Sequence, residues 1–104
     1  MKLLTKAIEN SLPALGATED VPCDDKVVKV KFFSIANNWR WYAVEYDPEQ
    51  KLFFGLVCGF EREWGYFSLA ELQAATFCGG CPAVERDLHF GTRKISEINP
   101  AIGN

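Results

Sequence analysis

Three apolar runs, each bounded by turn residues, set the tightest limit on what this chain can fold into. They are "KVVKVKFF" at 26–33, "WRWYAVEY" at 39–46 and "LFFGLVCGF" at 52–60. All three are dense in β-branched and aromatic residues, the side chains that suit a pleated, half-buried surface. In the first, Val28, Val30 and Phe32 point one way while Lys29 and Lys31 point the other. The third is apolar on both faces, which predicts a central strand covered from both sides. Asn37-Asn38 signals a turn because Asn tolerates left-handed backbone, and Asp47-Pro48-Glu49-Gln50 signals another in which Pro fixes φ. Connections this short predict an antiparallel meander.

The flanks add helices and further strands. Leu4, Ile8, Leu12 and Leu15 are spaced as one helical face, with Thr5 or an earlier residue as cap and Pro13 ending or bending it. Residues 16–25, "GATEDVPCDD", read as a loop. "EREWGYF" (61–67) extends the sheet with a fourth strand. "SLAELQAA" (68–75) is a helix, with Ser68 and Glu71 at capping-box spacing and Leu69 and Leu72 to dock it. "AVERDLHF" (83–90) alternates as a last strand, and "ISEI" (95–98) fits one helical turn before Asn99-Pro100. The expected fold is α+β: an antiparallel sheet of four or five strands, with the N-terminal helix and the 68–75 helix packed on it. A length of 104 residues fits one domain, 1–104. With eight Phe, three Tyr and three Trp, such a core needs no disulfide or metal to hold it.

A net charge of −3 supplies no basic footprint for nucleic acid, so a nucleic-acid partner is not expected. The N-terminus is too charged for a signal peptide, and no run of about 18 apolar residues suggests a membrane span. A soluble cytoplasmic protein is the expectation, its four cysteines mostly thiols or ligands.

"FCGGCP" (77–82) is the most motif-like stretch. A redox pair would sit after a strand and at a helix start, where the dipole lowers a thiol pKa. Here Cys78 follows a helix and Cys81 precedes Pro82 and a strand, so that order is reversed. A zinc site on Cys78 and Cys81 would need Cys23, Cys58 or His89 to complete it. Gly79-Gly80 also suits a helix C-cap and turn. A plain, metal-free turn is the leading reading, and no cofactor is expected.

In "VERDLHF" (84–90), strand alternation puts Glu85, Asp87 and His89 on one face, a set able to hold an ion, do acid–base work or meet a partner. Val84, Arg86, Leu88 and Phe90 take the other. Arg86 then requires a carboxylate, and Glu45 or Glu63 is the expected one. Strand parity places Glu45 beside Trp39 and Trp41. These tryptophans, with Trp64, Tyr42 and Tyr66, either build the core or line a partner surface.

The segments "MKLLTK", "LPALGATED", "KVVKVKFFS", "NWRWYAVEYD", "FFGLVCGFEREWGYFSLAEL" and "VERDLHF", in that order, resemble the family catalogued as domain of unknown function 2958. The family pattern falls on Trp39 to Tyr42, Gly65 to Leu69 and Glu85 to Asp87, and does not include the paired cysteines. The resemblance implies a small cytoplasmic accessory protein of bacterial and phage mobile elements, and it implies no known activity. The leading expectation is a non-enzymatic protein that binds a protein partner through Trp39, Trp41, Glu85, Asp87 and His89, inhibiting a host defence system. A metal-assisted or acid–base hydrolase using Glu45, Glu85, Asp87 and His89 is the competing class, and a zinc-stabilised module on Cys78 and Cys81 a third.

Overall fold

The computed structural model describes residues 2–98. Its centre is a five-stranded antiparallel sheet formed by β2 (Val30–Ser34), β3 (Arg40–Asp47), β4 (Leu52–Cys58), β5 (Arg62–Ser68) and β8 (Val84–Arg86). The strand order is β5-β4-β3-β2-β8, so the predicted meander accounts for four neighbours and β8 returns to pair with β2 at the far edge. Two two-stranded sheets complete the set. One pairs β1 (Val27–Val28) with β9 (Arg93–Lys94), the other β6 (Thr76–Phe77) with β7 (Cys81–Pro82).

Helices cover one face of the large sheet. In α1 (Lys6–Ser11) the Thr5 side chain caps the Ile8 amide, and the helix stops at Leu12. Leu12 precedes Pro13, whose ring disfavours helical backbone in the residue before it. The helix is therefore shorter than its leucine pattern: Leu4 and Leu12 lie just outside it, and both are buried. α2 (Leu69–Ala74) carries the full capping box, with Ser68 accepting from the Glu71 amide and Glu71 accepting from Ser68. Leu69 and Leu72 bury against Val30, Phe32, Ala43, Tyr46, Phe53 and Phe67. Phe53 is the hub, with its ring 4.6 Å from Tyr46, 5.2 Å from Phe67 and 5.4 Å from Phe32. Burial of a ring this size contributes about 3 kcal/mol.

Loops cover the other face, over Val28, Tyr42, Val44, Leu56 and Cys58, with Phe90, Ile95 and Ile98 packed on them. β4 is thus covered from both sides, as its sequence predicts. Run 26–33 differs from expectation, because it is two strands broken at Lys29. Val28 packs on the loop face while Val30 and Phe32 pack on the helix face. The Lys29 amide donates instead to the Ala43 carbonyl at 3.0 Å. The Asn37-Asn38 turn also differs in means. It uses no left-handed Asn; Ser34 Oγ accepts from the amides of Ala36 and Asn37, and Asn37 Oδ1 accepts from the Trp39 amide. Residues 95–97 form a 3-10 turn, while Asn99 and Pro100 lie outside the described residues. Among the described residues, no helix is long and apolar enough to cross a membrane.

Candidate binding surface

The helix face is only partly roofed. Beyond the reach of α1 and α2, its upper end carries Trp41 opposite Val57, and Val57 opposite Glu63, in one register row. Trp39 immediately precedes β3 and tilts against Trp41, with ring centroids 6.0 Å apart. The benzo edge of Trp39 lies over Gly59, where a β-carbon would come within 2.5 Å of the ring. Phe60 follows in the β4–β5 turn, 5.5 Å from Trp39 and nearly perpendicular to it at 82°. Phe60 is 95 % exposed. Trp39, Val57, Gly59, Phe60, Glu61 and Glu63 enclose a notch of about 190 Å³.

The two tryptophans therefore divide the alternatives left open by sequence. Trp41 packs partly into the helix-face core, whereas Trp39 belongs to a half-exposed aromatic corner with Phe60. Phe60 was not legible as a site residue, since it reads as the end of an apolar strand. The signal was present in Gly59 and in the charged "ERE" that follows, which mark a turn rather than a strand.

The 84–90 segment departs from expectation. β8 ends at Arg86, so Glu85, Asp87 and His89 do not share a strand face. Asp87 ends it: its amide donates to the Lys31 carbonyl, its side chain accepts from the His89 amide, and its carboxylate pairs with Lys31 at 3.6 Å. The bond to the His89 amide is local, and such side-chain bonds compete with the ladder and turn the chain. His89 is exposed, and Leu88 is exposed rather than directed inward. Val84 does lie on the helix face, opposite Ser34, and Arg86 lies opposite Phe32. Arg86 is braced by the N-terminal segment, donating from Nη1 to the carbonyls of Lys2 at 2.6 Å and Leu3 at 3.3 Å. It cannot meet Glu63, which stands on the opposite edge strand, roughly four strand spacings or 19 Å away.

Nor does Arg86 meet Glu45. The β3–β4 register slips between Ala43 and Glu45, a bulge that places one extra residue in β3. Strand parity inverts there, so Glu45 falls opposite Phe54, on the face away from Trp41. It is 3 % exposed. Its Oε1 accepts from the Gly16 amide at 2.7 Å, and its Oε2 accepts from the Thr18 amide at 2.9 Å and from the Thr18 hydroxyl. Lys26, also buried, donates to the Thr18 carbonyl. Burial raises the Glu45 pKa, but the Thr18 and Gly16 hydrogen bonds and the nearby Lys26 charge together outweigh it and hold the carboxyl below its ordinary value. All of these donors come from its own covering loop, so Glu45 clamps the 16–26 segment to the sheet.

"FCGGCP" is a hairpin. Phe77 pairs with Cys81 across a turn in which Cys78, Gly79 and Gly80 all have positive φ. The helix itself closes earlier, at Ala75, so the glycines serve this turn rather than a helix cap. Cys78 and Cys81 are exposed thiols, Cys23 is exposed in a 3-10 turn, and Cys58 is buried in β4. Burial pushes the Cys58 thiol pKa up in spite of Arg62 and Arg40 beside it, which keeps it a protonated thiol near neutrality. Among the described residues, no three His, Cys, Asp or Glu side chains converge on a position that could hold a metal ion.

No curated protein and no solved structure matches this sequence. The family described as protein of unknown function DUF2958 matches residues 3–99, nearly the whole length, and the chain belongs to that family.

Proposed function

We propose that this protein is a non-enzymatic binding protein that recognises a protein partner through the corner formed by Trp39, Trp41 and Phe60. The observation that carries the reading is Phe60, a large aromatic 95 % exposed and held perpendicular to a tryptophan. A lone exposed apolar residue needs no explanation, but an aromatic pair beside a notch has the form of an interface anchor. Gly59 makes the pair possible, since any side chain there would displace the Trp39 ring. An accessory protein of mobile elements is the setting implied by the sequence resemblance, and a cytoplasmic component of host defence is the partner class to test first. Glu85, Asp87 and His89 do not line this notch, while Asp87 and Trp39 together line a separate recess with Lys31, Phe33 and Arg40.

A photo-crosslinking amino acid at position 60, expressed in a native host, tests the reading. A discrete adduct is expected from position 60 and none from Ala70, an exposed position on α2. Phe60→Ser should abolish recovery of the same partner by affinity capture. Equal adducts from both positions, or capture untouched by Phe60→Ser, would sink the proposal.

A further inference from the structure

We infer that the notch between Trp39 and Phe60 takes a cationic side chain, an arginine above all, presented by the partner. The inference rests on the aromatic corner being a binding surface and adds the chemistry of what fills it. Three features converge. The first is the pair of rings. An indole and a phenyl ring meet at 82° with centroids 5.5 Å apart, so a group entering the corner meets two differently oriented aromatic rings. Aromatic faces are electron-rich, and indole is the strongest of the natural cation–π partners.

The second is the rim. Glu61 and Glu63 both line the notch and both are exposed. Among the described residues, neither has an ion pair or a side-chain hydrogen bond. The nearby cations are engaged elsewhere. Arg40 donates to the Asn38 carbonyl, Lys31 pairs with Asp87, and Arg62 stands opposite Cys58 on the loop face. The chain thus builds an anionic, aromatic recess and brings no described cation of its own to it.

The third is size. About 190 Å³ accommodates one long side chain and little more. An apolar plug would strip water from two carboxylates without replacing its hydrogen bonds, and an anion would meet both of their charges. A cation satisfies the rim and the rings together. Arginine suits the corner better than lysine because its planar guanidinium can stack on the indole while its edge donates to a carboxylate.

The test uses N-acetyl-arginine amide and its neutral isostere N-acetyl-citrulline amide as probes, titrated into the 15N-labelled protein. The arginine amide should shift the Trp39 indole N–H and the Gly59 amide saturably, binding about tenfold tighter than the citrulline amide. Glu61→Gln with Glu63→Gln should bring arginine down to the citrulline level while the rest of the spectrum stays folded. Trp39→Phe, which keeps a ring but loses the indole, should weaken arginine more than citrulline. Equal affinities for the two probes, arginine shifts centred away from the notch, no saturable shift, or an unchanged double-Gln variant would each overturn the inference. Crosslinking from position 60 separates this failure from that of the surface itself. If the partner is still captured while arginine is not distinguished, the surface stands and the cation does not.

Discussion

Gly59 lies beneath the Trp39 indole, so closely that a β-carbon on it would approach three ring carbons to 2.5–2.6 Å. The atoms in conflict are at the outer end of a side chain, so the ring can swing away while the backbone holds. Gly59→Ala should therefore change the near-ultraviolet circular dichroism of the tryptophans and weaken partner binding. The stability change should stay within about 1 kcal/mol, since no backbone must move. A full loss of folding would show that Trp39 is a core residue rather than a surface anchor.

Gly55 makes the opposite case. A β-carbon there would meet the Tyr42 carbonyl oxygen at 1.9 Å, beside the bulge in β3. Backbone cannot swing aside, and Gly55→Ala should cost about 3 kcal/mol in chemical denaturation. An unchanged midpoint would mean that β3 and β4 do not run this close.

Glu45 sets a pH dependence. Its carboxyl titrates below the ordinary value in the folded chain, so the carboxylate stabilises the fold above that ordinary value, near 4.5. That contribution is lost as the pH falls through the lower, folded value. Glu45→Gln replaces one acceptor oxygen with a donor facing other donors, and should cost about 2 kcal/mol at neutral pH. The difference between variant and wild type should shrink in urea titrations taken from pH 7 toward pH 3. A gap that stays constant over that range would remove the charge from the account.

The Tyr42 hydroxyl is buried and, among the described residues, has no hydrogen-bond partner. Burial, with the Cys58 thiol adding to it, also drives its pKa up, so the group stays neutral. Tyr42→Phe removes an unsatisfied polar atom and keeps the ring that packs 6.0 Å from Phe90. Stability should be unchanged or rise by about 1 kcal/mol. A loss of more than about 1 kcal/mol would reveal a partner for the hydroxyl.

Ser68 caps α2 through the Glu71 amide at 3.0 Å. Ser68→Ala should cost about 1 kcal/mol with the fold retained, read from the denaturant midpoint. An unmoved midpoint would mean that the cap is not stabilising.

The four-strand meander, α2 and its cap were legible in the sequence because each is a local matter. Alternating apolar residues, short turns and the Ser68–Glu71 spacing act within a few positions, and the structure follows them closely. The fifth strand was legible in kind but not in length, because Asp87 stops it with side-chain bonds that alternation does not count. What only the tertiary structure decided was which side chains share a face. Strand parity has a period of two, so a single irregularity reverses every residue beyond it. The break at Lys29 sent Val28 to the loop face, and the bulge after Ala43 sent Glu45 away from Trp41. Glu45 then found its partners at Gly16 and Thr18, 29 and 27 residues away, where no local pattern points. The aromatic corner is of the same kind. The sequence contained Trp39, Gly59 and Phe60, but Trp39 lies 20 residues before Gly59, and only the pairing of β3 with β4 lays the ring over the glycine.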